Sequence, residues 1–344
     1  MSMEGDMSLL APAHCAVVLV NHGGLEHTLA CLRALSRLER APGWVVVADN
    51  SPKPDEARHL FEGWRAIAAE VGQPAPERLD DEGALPGAPA VLLALRENRG
   101  FAAANNAILK SLSAERGCRA FWLLNNDAEP TPGALSALCD RLNEQPDAGI
   151  CGSTLVRADA PDRLQCAAGG TFTPWLAATR HLAEGASLAR LPARAEMESR
   201  LDYVIGASLL IRREVLESVG FLPEEHFLYC EDVDFCLSVR RAGFRLAWAP
   251  DSVVAHREGG SSGARSGPDG GRPERSRLVD YLSVRNRFHL VRKHRPAALP
   301  VALLALPFIL ANRLRRGQAD RCGLMLKAVF HALTGRLGRP GGAP

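Results

Sequence analysis

Three carboxylates crowd into Glu231-Asp232-Val233-Asp234, with Phe227, Leu228, Tyr229 and Phe235 around them. Charge among apolar neighbours is costly unless a cation, a hydrogen-bond donor or a reacting proton meets it. A carboxylate so placed suits the removal of a proton from an attacking hydroxyl. Downstream, His256 closes the short apolar run 253–255, so an acid and an imidazole could meet across one pocket. Four more polar clusters each end an apolar run: Asn21, Asp49-Asn50-Ser51, Glu97-Asn98-Arg99-Gly100 and Asn125-Asn126-Asp127.

The elements that must position these groups follow from periodicity. Val233, Phe235, Cys236, Val239 and Ala242 share one helical face and Gly243 ends the pattern, which puts the acids in a first turn where they complement the helix dipole. Residues 245–249 and 253–255 read as short extended segments. Upstream, apolar β-branched runs at 16–21, 44–48, 91–95 and 121–124 alternate with helical patterns at 25–38, 54–70 and 101–114. That alternation predicts an α/β fold around a mostly parallel sheet, in which ligands bind beyond the carboxyl ends of the strands. Each polar cluster lies on that edge. Residues 71–89 read as a surface insertion, 149–156 as a strand, 163–182 as a hairpin or lid, 203–211 as one buried strand and 213–219 as a helix.

The chain has 344 residues, 47% hydrophobic and 23% charged, which suits a globular protein with a sizeable core. Nine cysteines without a C-x-x-C pair, and a start lacking a basic segment followed by a long apolar one, point to reduced cytoplasmic thiols and no secretion signal. The net charge of +2 hides an asymmetry: from Arg285 onward about twelve Lys or Arg face Asp320 alone, leaving about −9 elsewhere. Residues 263–277 read as a flexible linker, and 278–344 as a basic, partly apolar helical extension. Within it, 297–311 is apolar but broken by Pro300 and Pro307, too short to span a bilayer. Interleaved basic and apolar stretches favour an anionic membrane surface over nucleic acid, and so a peripheral place on the inner face of the cytoplasmic membrane, with a core helix buried against the rest of the chain as the alternative for the apolar segment.

Taken together and in order, Val18-Leu19-Val20-Asn21, Asp49-Asn50-Ser51, Glu97-Asn98-Arg99-Gly100-Phe101 with Asn105-Asn106, Asn125-Asn126-Asp127, Gly206-Ala207, Glu231-Asp232-Val233-Asp234 and His256 resemble the family 2 glycosyltransferases, in particular their rhamnosyltransferase-like branch. The likeness covers residues 16–262 and a further segment at 281–294. It implies a GT-A catalytic domain over 14–262, a nucleoside-diphosphate sugar donor, Mg²⁺ or Mn²⁺, inversion at the anomeric carbon, and a glycan or polyprenyl-linked acceptor. It also implies roles. Asp49 would meet the nucleobase, with Asn21, Asn98, Gly100, Phe101, Asn105, Asn125 and Asn126 lining the donor site. Asp127 would hold the cation with His256, in a D-x-D motif whose first acid is asparagine. Asp232 would be the base, with Gly206, Glu231 and Asp234 shaping the acceptor pocket.

The chain departs from the pattern at His22-Gly23 and at Pro52-Lys53-Pro54, and it lacks the Q-x-x-R-W signature of processive members. Two other readings stand beside the transferase. A sugar nucleotidyltransferase lacks support, because no lysine-bearing glycine-rich loop follows the first strand. A non-catalytic sugar- or nucleotide-binding scaffold would keep the fold without turnover.

Overall fold

The computed structural model describes residues 9–80, 87–257, 276–315 and 317–341. In chain order it gives β1 (Cys15–Asn21), α1 (Leu25–Leu35), β2 (Trp44–Asp49), α2 (Pro54–Val71), β3 (Glu77–Leu79), β4 (Ala90–Ala94), α3 (Phe101–Leu112), β5 (Ala120–Asn125), β6 (Ala128–Pro130) and α4 (Ala134–Glu144). There follow β7 (Ala148–Arg157), β8 (Ala160–Ala167), β9 (Gly169–Thr173), β10 (Ala178–His181), α5 (Arg194–Arg200), β11 (Tyr203–Val204), β12 (Ser208–Arg212), α6 (Arg213–Val219), α7 (Glu231–Arg241) and β13 (Arg245–His256). The extension adds α8 (Arg277–His294), α9 (Leu299–Leu304), α10 (Leu306–Arg315) and α11 (Asp320–Thr334).

Among the described residues the main sheet runs β3-β4-β2-β1-β5-β12-β7-β13-β6, with β8 beside β7. The β3, β4, β2, β1 and β5 half is parallel, and β12 joins β5 and β7 antiparallel. Helices cover both faces, which is why β1 reads as an unbroken apolar run rather than an alternating one. Small residues Ala102, Ala104 and Ala107 let α3 pack closely on β1 and β2. The parallel register places Asn21 beside Asp49 and Val20 beside Asn125, so the strand-end clusters fall on one edge.

Three local expectations need correction. Residues 203–211 are not one strand: the chain leaves β11 at Val204 and enters β12 at Ser208, and the break presents Gly206. The segment 71–89 contributes an edge strand, β3, paired with β4. The two segments at 245–256 are one strand, β13, irregular between Ala249 and Val253 where it passes Pro250. Most of the expected linker lies outside the described residues, and its last residue, Arg277, already opens α8.

The extension shares a core with the sheet. Tyr281, Leu282, Phe288, Met325 and Val329 are buried in the same apolar cluster as Val18, Leu123 and Phe235. Among the described residues no single helix is long and apolar enough to cross a membrane, and the α9–α10 pair bends by 44°.

Candidate functional site

On the β1–β2 side the polar strand ends interlock. The Asn21 amide donates to Asp49 Oδ1 at 2.8 Å, Thr28 Oγ1 donates to Asn21 Oδ1 at 2.8 Å, and Asn126 Nδ2 donates to Thr28 at 3.0 Å. All four residues are buried. Gly24 makes room for this chain, since a Cβ there would stand 2.8 Å from Asn126 Nδ2. Burial raises the Asp49 pKa to about 6 against the Asn21 and Ser51 donors that pull it down.

Asn50, Asn98 and His22 tie the next loop to this edge. Asn50 Oδ1 accepts from the Arg99 backbone at 2.8 Å, its amide donates to Gly100 O at 3.2 Å, and Asn98 Oδ1 accepts from Gly100 N at 2.9 Å. His22 Nε2 lies 3.3 Å from the Asn98 amide nitrogen, a donor, so the nitrogen accepts and Nδ1 carries the proton toward Asn50 O at 3.0 Å. The departure at His22 thus has a structural use, joining two loops of this sheet edge.

Asp127 and His256 face each other at the neighbouring strand ends. Asp127 Oδ1 is buried without a hydrogen-bond partner, yet lies 3.2 Å from His256 Nε2. The approach is close but not aligned as a hydrogen bond, which leaves two lone-pair-bearing atoms converging on one point. Gln165 Oε1, on β8, sits 2.8 Å from His256 Nδ1 and accepts from it, which leaves Nε2 as an acceptor beside Asp127 that takes the Asn125 amide N–H at 3.2 Å. The unpaired Asp127 oxygen fits a divalent cation, and His256 Nε2 would join it by releasing the Asn125 amide.

The acids open α7. Asp232 Oδ2 accepts from Gly206 N at 2.9 Å and Oδ1 from Val233 N at 2.8 Å. Burial raises its pKa and those two donors only partly restore it. Glu231, buried with Oε2 unpaired, is pushed to about 8 by burial and by the Asp232 charge beside it. Gly206 lies between Phe101 and Asp232: a Cβ there would be 3.4 Å from the Phe101 ring and 3.7 Å from Asp232 Cβ. The next residue, Ala207, accepts from Asn125 N at 3.1 Å, and the Asn125 amide lies 3.2 Å from His256 Nε2.

The turn before α7 is strained and braced. Phe227, Tyr229 and Cys230 have φ of 64°, 69° and 71°, a region that side chains avoid. The Asn286 amide of α8 approaches the carbonyls of His226, Leu228 and Tyr229 at 3.0, 2.9 and 2.8 Å, and Arg285 Nη2 donates to His226 O at 2.9 Å. From the other side Phe101 N donates to Phe227 O at 2.8 Å. Gly100, with φ of 87°, leaves the space, because a Cβ would stand 2.3 Å from that oxygen.

Two expected site residues lie elsewhere. Asn105 is buried inside α3, its amide donating back to Phe101 O at 2.9 Å, so its side chain serves the helix rather than the polar sheet edge. Asp234 does not face the pocket either. Its carboxylate meets His226 and His294 at 2.7 Å each and Lys293 at 2.8 Å. Burial alone would raise its pKa, and these partners together outweigh that and hold it well below the carboxylate range. Glu225, His226, Asp234 and His289 cluster closely enough to suggest a metal, but Lys293 Nζ sits 2.8 Å from both carboxylates and already supplies the positive charge. That cluster joins α8 to α7. Thr28, Gln165 and Asn286 are the residues sequence reasoning missed. Gln165 is 91 positions from the histidine it orients, and no local motif marks it.

A family model described as "Glycosyltransferase like family 2" matches residues 79–266. An uncharacterized protein of Sinorhizobium fredii is 29% identical over 67% of this chain, which spans only 25% of that relative's length. An N-acetylglucosaminyl-diphospho-decaprenol L-rhamnosyltransferase of Mycobacterium tuberculosis is 27% identical over 64% of this chain and 77% of its own. A mannosyltransferase of Pyrobaculum calidifontis, solved with GDP-Man and Mn²⁺, superposes with a TM-score of 0.51 at 15% identity, over 94% of this chain and 88% of its own. That likeness extends the shared GT-A fold to nearly the whole chain. With the family model matching more than half of its residues, the chain belongs to the glycosyltransferase-like family 2.

Proposed function

We propose that the chain is an inverting glycosyltransferase moving a deoxyhexose, with rhamnose the favoured sugar, from a nucleoside-diphosphate donor to a polyprenyl-linked or glycan acceptor. One observation carries the reading: Asp232 and Asn125 bond to consecutive residues, Gly206 and Ala207, so the acid and the Asp127–His256 pair flank one short segment. Asp232 takes the proton of an acceptor hydroxyl as it attacks. Asp127 Oδ1 and His256 Nε2 hold Mg²⁺ or Mn²⁺, with Gln165 fixing the imidazole. When bound, the cation neutralises charge developing on the leaving diphosphate. A single in-line displacement needs no enzyme nucleophile, and the cysteine nearest the acids, Cys230, has its thiol pKa pushed up by burial. The names of the Mycobacterium and Pyrobaculum relatives support the acceptor class and the cation respectively.

The extension gives this site a membrane-facing side. Trp175, Leu176, Val301, Leu304 and Phe308 are all exposed, and α9 packs against the turn that carries Trp175. An apolar surface beside basic helices suits an anionic membrane interface, where a polyprenyl-linked acceptor resides.

The test is release of nucleoside diphosphate from a panel of nucleotide sugars with and without Mn²⁺, in the presence of a polyprenyl-linked acceptor. Acceptor-dependent release with one donor is expected. Donor-independent glycan binding with no release in any combination removes the transferase reading and leaves the scaffold.

Asp49 adds a pH signature. Asn21 and Ser51 occupy its Oδ1, leaving Oδ2 to accept from the imide N–H of a pyrimidine base. With the pKa raised to about 6, the carboxylate is ionised at pH 7 and protonated as pH falls through 6. Donor affinity measured by calorimetry is expected to be flat above about pH 7 and to weaken up to about tenfold per unit well below 6. Asp49→Asn should flatten that dependence, and an unchanged slope in the variant would take Asp49 out of the donor site.

A further inference from the structure

A second cavity, of about 130 Å³, opens where α8, α11 and the chain following α11 meet. Tyr281, Arg285, Lys327, His331, Arg336 and Arg339 line it, and no carboxylate is among its lining residues. Arg285 forms the floor, only 1% exposed, its guanidinium spent on the backbone oxygens of Gly338 and His226 and on Asn286. Those partners are neutral, so the charge remains uncompensated. Lys327, Arg336 and Arg339 stand at the mouth, exposed. His331 registers the field: burial first, then Arg336, Lys327 and Arg285, push its pKa below the ordinary value.

Four cations around one small cavity repel one another unless an anion joins them. Arginine forks and a lysine point charge match the oxygens of a phosphate or diphosphate better than a single carboxylate. The rim distinguishes the source of that phosphate. Leu326 and Phe330, one turn apart on α11, are 48% and 53% exposed, and the Arg336 guanidinium lies 5.6 Å from the Phe330 ring centroid. A free nucleotide or inorganic ion has no use for an apolar rim, whereas a lipid places its chain there. On the other side Arg339 Nη1 donates to Asn98 O at 3.2 Å, so the cavity adjoins the loop that borders the donor edge.

We propose that this cavity binds the phosphate headgroup of a membrane lipid, with the acyl or prenyl chain lying over Leu326 and Phe330. The proposal rests on the membrane reading above but not on catalysis.

The experiment floats the full chain with phosphatidylcholine vesicles carrying either phosphatidic acid or phosphatidylserine, matched in surface potential. Wild type is expected to prefer the exposed phosphate monoester, and millimolar inorganic diphosphate to release it. The triple variant Lys327→Ala, Arg336→Ala, Arg339→Ala should lose on the order of 100-fold in partitioning, with each cation worth roughly fivefold, and should lose the preference. These side chains are exposed, so an unchanged melting curve is expected and checks that the variant is folded. A Leu304→Ser, Phe308→Ser variant tests the α9–α10 surface separately. If the triple variant floats as wild type does while the serine variant does not, the cavity is overturned and the membrane reading survives. If wild type binds diphosphate by calorimetry, the triple variant loses that binding, and wild type shows no preference among vesicles, the lipid source is overturned and a soluble oxyanion takes its place. If neither vesicles nor diphosphate bind, both readings fall.

Discussion

Asp232→Asn is expected to lower turnover by about 10²–10⁴-fold, the range over which a positioned acid–base group accelerates proton transfer, while donor affinity stays within about twofold. The substitution keeps the shape and one of the two oxygens that accept from Gly206 N and Val233 N. It also removes a charge that burial disfavours, since the Asp232 pKa is raised. The relieved charge offsets the acceptor lost by one backbone N–H, so the variant should melt within a few degrees of wild type, which separates lost chemistry from lost fold. The pH profile makes the assignment sharper. A base works ionised, so wild-type turnover should fall as pH drops through the raised pKa of Asp232, and the variant should lose that limb. Glu231→Gln is the comparison. With its pKa at about 8, Glu231 is mostly protonated at pH 7 and a poor base there, so its amide should cost far less. If Glu231→Gln abolishes turnover and Asp232→Asn retains it, the proton goes to Glu231 instead.

The parts of this site that could be read from sequence are those carried by strand ends. Asn21, Asp49, Asn98, Asn125 and Asp127 each follow an apolar run, and a parallel sheet brings the ends of such runs to one edge whatever the loops do. The helix opening at Glu231 was legible for the same reason, from periodicity and a terminal Gly243. What stayed hidden depends on side chains meeting across long sequence distance. Gln165 orients His256 from β8, Asn286 reaches the turn before α7 from 57 to 60 positions away, and neither residue type announces such a partner. Asp234 shows the converse error. Its place in the acid triplet suggested the pocket, but in α7 it lies two residues beyond Asp232, on a different face, where His226, Lys293 and His294 claim it. Whether the extension packs on the core or inserts at a membrane interface was not legible, because basic composition says nothing about which face is buried. Its apolar face completes the core that the sheet begins.

That dependence of the site on the extension leads to the second large effect. Asn286→Leu is expected to destabilise the protein by on the order of 3 kcal/mol, because the carbonyls of Leu228 and Tyr229 lose the amide that now approaches them. His226 O keeps its Arg285 donor, so the loss falls on the two carbonyls nearest α7 and on Arg285 Nε, which loses Asn286 Oδ1 as its acceptor. For a chain of 344 residues the melting temperature should drop by about 4 °C. Turnover should fall with it even at temperatures where the variant is folded. The left-handed backbone at Phe227, Tyr229 and Cys230 persists only while its surroundings hold it, and Cys230 sets where Glu231 and Asp232 begin α7. Cation binding offers the control, since Asp127, His256 and Gln165 belong to β-strand ends and the segments joining them, on the far side of Gly206 from this turn. Titration with Mn²⁺ should give an affinity close to wild type. If the variant melts normally and turns over normally, the strained turn stands without α8 and the extension is dispensable to catalysis. If cation affinity collapses together with turnover, the variant has disturbed the sheet edge itself, and the turn is not where Asn286 acts.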